Sequence, residues 1–381
     1  MCAGEDTSTP LLEKAGRLIE DGETVYRMDM GTPDIDCSPE VKEEAVNAMM
    51  HGETKYTDAT GIPRLRRAVA DKILRDQGLE ISPDKNIIVT VGASEALFSL
   101  MGAFLDPGDE LLVPSPWYCA YYYVPTYYGI SVKEVPVVKN CVLNVNISAF
   151  EAAITDRTKA ILLNYPHNPT GMTYTEEQLT AFAELAKKYD LLVISDECYE
   201  KYLFEGTFKS IATLPGMLER TIIINSVSKA YGMTGWRVGY MVMPEAFHRA
   251  LTDVHGNLIL CAPSFCQYGA AKALETETPE QMESLREMYQ ERCALVTQTL
   301  DELGIPYVDP KGAFYIFADI GKTGMDGLVF ADRLLEEERV TCMPGEIFGS
   351  NYRTYVRFAY TSSIEDIAEA MKRLRNFMEA H

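Results

Sequence analysis

The chain has 381 residues, of which 47% are hydrophobic and 24% are charged; this composition is typical of a globular protein long enough for a large core and two domains. A formal net charge of −21 argues against a nucleic-acid-binding surface and against a basic membrane-binding patch. The nine cysteines are scattered without a CxxC pair, and the first residues include acids but no apolar stretch. We therefore expect reduced thiols, no metal site and a cytoplasmic location.

Four apolar runs rich in β-branched residues predict buried strands at 86–91, 159–164, 191–195 and 221–225. Helices are predicted between them, one over 92–105 and another that begins with a capping box of Thr175 and Gln178. Strands that are apolar throughout and alternate with helices indicate a parallel sheet covered on both faces. The expected fold class is therefore α/β, with a mostly parallel sheet flanked by helices.

The uncharged segment LLVPSPWYCAYYYVPTYYGI, residues 111–130, is long enough to cross a membrane. It contains three prolines and six tyrosines, however, and has no long aliphatic run. Prolines interrupt a helix, and tyrosine is typical of buried segments near a site or an interface. We therefore predict a buried aromatic segment and no membrane span.

The last part of the chain has a different pattern, with strands predicted at 312–320 and 353–360 and helices through 330–338 and from about 364. This mixture indicates a smaller α+β unit. We interpret the chain as a large α/β domain over residues 46–285 and a small α+β domain formed by both chain ends, residues 1–45 and 286–381.

Residues with chemical functions follow each of the four predicted strands, and ligands of open α/β sheets bind beyond the carboxyl ends of the strands. The first strand leads into Gly92, Ala93 and Ser94 at a helix N-terminus, which suits a phosphate. The next three strands are followed by Asn168, by Asp196 and Tyr199, and by Ser226, Lys229 and Arg237. Pyridoxal phosphate requires such a set: a lysine for its aldehyde, a carboxylate for its ring nitrogen, donors for its ring oxygen, and cations and N–H groups for its phosphate.

These residues lie in segments that resemble the motifs of the class I/II, fold-type I pyridoxal-phosphate aminotransferases. Residues 226–240, SVSKAYGMTGWRVGY, are similar to the lysine motif of that family. Its other motifs are matched by VGASEAL, PGDELLVPSPWY, NYPHNPTG, SDECY and YVRFAY. The resemblance extends from about Gly31 to the C-terminus, and it implies the pyridoxal-phosphate-dependent transferase fold of type I.

The resemblance implies a role for each residue around the cofactor. Lys229 forms the Schiff base and moves the proton, and Asp196 pairs with the pyridine nitrogen. Tyr199 and Asn168 contact the ring hydroxyl. The phosphate would be bound by Ala93, Ser94, Ser226 and Arg237.

Further residues are implied at the edges of the site. Tyr118 would stack on the cofactor ring. Arg357 would bind the substrate α-carboxylate in a bidentate fork that lysine could not reproduce, with Asn168 and Gly31 beside it. The family's counterpart of Tyr56 reaches the phosphate of the neighbouring subunit, which implies a homodimer with shared active sites.

The implied activity is the transfer of an amino group from an L-amino acid to a 2-oxo acid by a ping-pong mechanism. Ser94 stands where one prokaryotic subgroup of aspartate enzymes has a lysine, and the tyrosines near Trp117 suit an apolar side chain, so we favour a neutral or aromatic donor over aspartate. A carbon–sulfur β-lyase, or another fold-type I enzyme, is the alternative. A non-enzymatic pyridoxal-phosphate-binding regulator is a remote one, because the chain has no length or basic segment for a DNA-binding domain.

Overall fold

The computed structural model of the chain describes residues 8–381. Its strands are β1 (Ile87–Thr90), β2 (Glu110–Ser115), β3 (Ser131–Pro136), β4 (Val138–Lys139), β5 (Val142–Leu143), β6 (Thr158–Asn164), β7 (Leu192–Asp196), β8 (Thr221–Ser226), β9 (Gly239–Val242), β10 (Tyr315–Asp319), β11 (Met343–Pro344) and β12 (Tyr355–Ala359). Its helices are α1 (Ser8–Glu20), α2 (Pro39–Met50), α3 (Pro63–Gln77), α4 (Gly92–Phe104), α5 (Ala120–Tyr127), α6 (Ile147–Ala153), α7 (Glu176–Lys188), α8 (Glu245–Ile259), α9 (Ser264–Glu275), α10 (Pro279–Glu302), α11 (Gly327–Glu338) and α12 (Ile364–Ala380).

Seven strands form the central sheet in the order β1-β9-β8-β7-β6-β2-β3. All neighbours are parallel except β9, which runs antiparallel to both β1 and β8. Successive residues of β1 enter opposite hydrophobic clusters, since Ile87 and Val89 pack on one face and Ile88 packs on the other. Both faces of the sheet are therefore covered, and the predicted α/β class with a mostly parallel sheet is confirmed.

The four strands predicted from apolar runs are β1, β6, β7 and β8, each within two residues of the predicted bounds. The helix after β6 begins as predicted: the Thr175 hydroxyl accepts from Gln178 N at 3.3 Å, and Gln178 Oε1 accepts from Thr175 N at 2.9 Å. Within the central sheet, the sequence patterns did not indicate β2, β3 and β9. The reason differs for each strand: β2 lies at the start of the tyrosine-rich segment, β3 is a half-exposed edge strand with charged residues, and β9 has only four residues.

The segment at 111–130 folds as part of β2, a connection and the short helix α5. Trp117, Tyr121 and Val124 are buried in a cluster beside the sheet. Among the residues from 8 to 381, no helix has both the length and the apolar character that crossing a membrane requires.

A second, antiparallel sheet has the order β10-β12-β11. It shares a hydrophobic cluster with α10, α11 and α12. The N-terminal segment joins this unit, since Tyr26 forms a parallel bridge with Val340. The predicted domain boundaries at 46 and 285 stay a prediction, and α10 crosses residue 285 as one continuous helix.

Candidate active site

A cavity of about 360 Å³ lies beyond the carboxyl ends of β6, β7 and β8. Because these strands are parallel neighbours, Asn164 at the end of β6 lies opposite Asp196 at the end of β7. We call this space the strand-end cavity. It is lined by Gly31, Thr32, Ala93, Ser94, Tyr118, Tyr121, Asn168, Asp196, Cys198, Tyr199, Ser226, Ser228, Lys229, Thr234, Arg237, Tyr315 and Arg357.

All the residues that the family resemblance assigns to the site are among these lining residues, with the exception of Tyr56. Tyr56 lies in the segment between α2 and α3 and is 82% exposed. A single chain therefore brings together the predicted lysine, carboxylate, phosphate-binding and arginine residues, and leaves Tyr56 on the surface.

Lys229 follows β8 by three residues and extends into the strand-end cavity. Its Nζ donates to the carbonyl oxygen of Gly31 at 2.7 Å and lies 5.8 Å from the ring centroid of Phe314. The turn after it requires glycine, because Gly232 has φ +64° and a Cβ there would lie 2.7 Å from the Ile35 carbonyl oxygen. The close packing of this turn fixes the backbone from which Lys229 extends.

Asp196 ends β7 with its carboxylate buried and held by two donors. The Tyr121 hydroxyl donates to Oδ2 at 2.6 Å, and the Cys198 backbone N–H donates to Oδ1 at 3.1 Å. Burial raises the pKa of Asp196, while these hydrogen bonds oppose the shift. A buried carboxylate with a raised pKa is best stabilised in its charged form by a nearby cation, such as a protonated ring nitrogen.

Tyr199 and Asn168 are each held by a second polar side chain. The Tyr199 and Tyr315 hydroxyls lie 3.0 Å apart, and burial raises the pKa of Tyr199 well above its ordinary value, so the phenol keeps its proton. The Asn168 backbone N–H donates to Asn164 Oδ1 at 2.9 Å. The Tyr199 side chain and the Asn168 backbone are therefore held in place at the wall of the cavity.

The start of α4, residues 92–94, has no large side chains, and we call this part of the helix the cradle. Gly92 has φ +72°, and a Cβ there would lie 2.6 Å from Arg237 Nη2. Likewise, a Cβ on Gly239 would lie 2.9 Å from the Ala93 backbone nitrogen. Arg237 is itself held by a 3.0 Å hydrogen bond from Nη1 to the Thr234 carbonyl oxygen. Free N–H groups of a helix end beside a guanidinium are suited to bind a phosphate.

Arg357 on β12 is only 6% exposed and reaches the cavity from the second sheet. Its Nη1 donates to Asn168 Oδ1 at 2.9 Å, and its Nη2 donates to the Asp29 carbonyl oxygen. The guanidinium carbon lies 4.4 Å from the ring centroid of Tyr315 and 5.0 Å from that of Phe348. Its Nε is buried and has no hydrogen-bond partner among residues 8–381, which leaves donor capacity for a carboxylate.

The sequence motifs did not assign Tyr121, Ser228 and Tyr315 to the site. Ser228 lies inside the lysine motif, so its position after β8 was a usable signal. Tyr121 was indistinguishable from its neighbours in YYYVPTYY, and Tyr315 lies in a strand of the other sheet. Only the fold brings the Tyr121 hydroxyl to Asp196 and the Tyr315 hydroxyl to Tyr199.

These residues fit pyridoxal phosphate on the geometry of the chain itself. An amine, a buried carboxylate, two fixed ring-oxygen donors and an open helix end line one cavity. The cradle at Gly92 would be filled by any larger residue, since its Cβ would collide with Arg237. Such a combination suits a cofactor that carries both an aldehyde and a phosphate.

Comparisons with known proteins identify the family. The family model described as "Aminotransferase class I and II" matches residues 23–374. The aspartate aminotransferase of Pyrococcus abyssi is 37% identical over 93% of this chain and 92% of its own length. The aromatic-amino-acid aminotransferase 2 of Thermococcus litoralis is 36% identical over 97% of this chain and 95% of its own length.

Solved structures agree over the same length. The aspartate aminotransferase from Thermus thermophilus with maleate has a TM-score of 0.91 and 36% identity, covering 98% of this chain and 97% of that one. The aromatic aminotransferase from Pyrococcus horikoshii OT3 has a TM-score of 0.89 and 36% identity, covering 97% and 99%. The predicted type I fold, cofactor and activity are confirmed. This chain therefore belongs to the class I and II aminotransferase family and is a pyridoxal-phosphate-dependent enzyme that transfers the amino group of an amino acid to a 2-oxo acid.

Proposed function

We propose that the preferred amino donor is a neutral or aromatic L-amino acid and that aspartate is a poorer substrate. The observation that carries this proposal is the number of cations in the strand-end cavity. Among the described residues that line it, the cationic side chains are Lys229, Arg237 and Arg357. The first is needed for the cofactor aldehyde, the second for the phosphate and the third for the α-carboxylate. No lining cation remains in residues 8–381 for a second carboxylate, whereas the rings of Tyr118 and Tyr315 suit an apolar side chain.

The relatives leave this preference open. Their names include aspartate, aromatic-amino-acid and arginine–pyruvate aminotransferases, all at 36–37% identity. At this similarity the substrate follows from the side chains of the cavity and not from the family.

Arg357 is the proposed anchor of the substrate α-carboxylate. It is rigid because Asn168, the Asp29 carbonyl and two aromatic rings hold its guanidinium from several sides. Anchoring the carboxylate fixes the orientation of the α-carbon and its proton. Lys229 Nζ is the proposed base that takes this proton and later returns it.

The proposed cofactor contacts follow from the same geometry. Pyridoxal phosphate, when bound, withdraws electrons from the carbon that loses its proton and carries the amino group between the two half-reactions. Asp196 would hold the proton on the pyridine nitrogen, and Tyr199 and Asn168 would donate to the ring oxygen. The phosphate would lie at the start of α4, bound by Ala93, Ser94, Ser226 and Arg237. Tyr118 would cover the ring.

A homodimer with shared active sites is also proposed. Tyr56 is exposed on the chain's own surface, and nearby Met50 is 78% exposed. Such exposed apolar side chains are explained by a second copy that covers them. Tyr56 would then reach the partner's phosphate.

The scattered cysteines support a cytoplasmic location. The division into a domain over residues 46–285 and a second domain formed by the two chain ends is proposed because the chain forms two separate sheets.

The test is a titration of the cofactor-loaded enzyme with single amino acids in the absence of any oxo acid. The absorbance of the bound cofactor reports its conversion to the pyridoxamine form. We expect phenylalanine, tyrosine, leucine or methionine to react with a kcat/KM about tenfold or more above that of aspartate, which corresponds to about 1.4 kcal/mol. Equal or faster reaction with aspartate would show that the cavity accepts a second carboxylate and would refute the preference. Lys229→Ala is the control that should react with none of them.

A further inference from the structure

A buried histidine–glutamate pair lies next to the start of α4 but does not line the strand-end cavity. His255 on α8 is fully buried, with Nδ1 3.0 Å from Glu95 Oε1 and Nε2 2.8 Å from the Ala59 carbonyl oxygen. A carbonyl oxygen only accepts hydrogen bonds, so Nε2 carries a proton. The close contact between Nδ1 and the carboxyl oxygen needs a second proton between them. With these two protons the imidazole and the carboxyl group together carry no net charge.

Glu95 lies in the first turn of α4, and its carboxyl group is occupied on both oxygens. Oε2 accepts from the Val91 backbone N–H at 3.1 Å, and Oε1 accepts from the Ser99 hydroxyl. The first N–H groups of a helix lack partners inside the helix. Glu95 thus satisfies the donor at Val91, and the helix residues Ala93 and Ser94 line the strand-end cavity.

The charge of Glu95 has two opposite effects at this place. A carboxylate in a first helical turn stabilises the helix itself. The same carboxylate would repel a phosphate bound at the same helix end, and burial makes this repulsion strong because little solvent screens it. The proton that His255 shares with Glu95 removes the repulsion, while the hydrogen bond from Val91 to Glu95 is kept.

We propose that His255 and Glu95 are positioning residues for the cofactor phosphate: Glu95 shapes the cradle, and His255 cancels the charge that would otherwise repel the phosphate. This inference rests on the proposed placement of the phosphate at the start of α4. The same imidazole also binds Ala59, in the segment that carries Tyr56. His255 therefore connects the chain's own phosphate cradle with the segment between α2 and α3, whose Tyr56 is proposed to reach the partner's phosphate.

The experiment measures the affinity of the cofactor-free protein for pyridoxal phosphate and for pyridoxal, which lacks the phosphate. The ratio of the two dissociation constants isolates the phosphate contribution from any general loosening of the site. The variants are His255→Gln, Glu95→Gln, the double variant, and Arg237→Gln as a control for the phosphate placement. Thermal unfolding of each cofactor-free protein establishes that it is folded.

We expect His255→Gln to lower the preference for pyridoxal phosphate over pyridoxal by about tenfold or more, because it leaves an uncompensated buried carboxylate beside the phosphate. Removing that charge as well, in the double variant, should restore the ratio to within about threefold of the original. Glu95→Gln alone should leave the ratio unchanged or raise it. Inorganic phosphate should compete with pyridoxal phosphate for binding, and its affinity should rank the variants in the same order as the ratio does.

Two results would overturn the inference while leaving the phosphate placement intact. One is an unchanged ratio in His255→Gln while Arg237→Gln lowers it. The other is a double variant as impaired as His255→Gln, since a merely structural role predicts no rescue. If His255→Gln does not fold, Glu95→Gln tests the inference instead. A large fall in the preference of Glu95→Gln for pyridoxal phosphate over pyridoxal would show that the Glu95 carboxylate does not repel the phosphate. An unchanged ratio in Arg237→Gln as well would overturn the phosphate placement and this inference with it.

Discussion

Replacing Arg357 with lysine would keep a positive charge on β12 and remove the planar guanidinium. In the structure that group donates to Asn168 Oδ1 at 2.9 Å and to the Asp29 carbonyl oxygen, and it lies close to two aromatic rings. The single nitrogen of a lysine can reach one of these acceptors or the substrate carboxylate, but it cannot hold all of them in a fork.

The size of the effect follows from these contacts. A hydrogen bond from a charged group is worth about 1.5–3 kcal/mol, and a buried acceptor left without a donor costs about 1–3 kcal/mol. The retained charge keeps part of the attraction for the substrate carboxylate. We therefore expect Arg357→Lys to lose about 2–4 kcal/mol of transition-state stabilisation, or roughly 30- to 1000-fold in kcat/KM.

The assay compares an amino acid with the amine that lacks its α-carboxylate, for example phenylalanine and phenylethylamine, in the half-reaction without oxo acid. Arg357→Lys should lower the rate with the amino acid and change the rate with the amine little. Arg353→Lys is the matched control, because the Arg353 side chain is 74% exposed and pairs with Asp326 away from the cavity. If the discrimination between amino acid and amine stays within about twofold in Arg357→Lys, the α-carboxylate is bound elsewhere and the reasoning is refuted.

Three other substitutions test the surroundings of the site. Burial raises the pKa of Glu197 to about 8 from its ordinary 4.5, so the folded protein binds a proton that the unfolded chain releases between these values. The free energy of unfolding should fall as pH rises through that window, and Glu197→Gln should flatten this dependence in urea unfolding; equal slopes for both proteins would contradict the assignment. In Gly31→Ala the new Cβ would lie 2.0 Å from the Tyr315 hydroxyl, so kcat/KM should fall by about tenfold or more and the free energy of unfolding by about 1–3 kcal/mol. Normal kinetics would mean that the tyrosine moves freely. Lys72→Met removes the cation paired with buried Glu200 and should lower the free energy of unfolding by about 3–5 kcal/mol in urea, and an unchanged midpoint would show that the pair is not needed for folding.

The sequence by itself was sufficient to predict four of the seven central strands and the functional residues that follow them. Apolar runs indicated β1, β6, β7 and β8 because strands buried on both faces leave few positions for polar residues. In a parallel sheet the carboxyl ends of neighbouring strands meet, so Asn168, Asp196 and Lys229 could be placed at one site from chain order alone. The lysine motif and its companions then indicated the family.

Only the tertiary structure decided which remote side chains hold those residues in place. Tyr121 donates to Asp196, Tyr315 lies against Tyr199, and the Asp29 carbonyl accepts from Arg357. The strand-end argument did not include these partners, and local patterns carry no information on contacts between elements far apart in the chain. The pair of His255 and Glu95 is the clearest case, since 160 positions separate two side chains that share a proton. Their contact depends on how α8 packs against α4. A hydrophobic pattern predicts that a helix has a buried face, but it does not predict which residues of two helices meet.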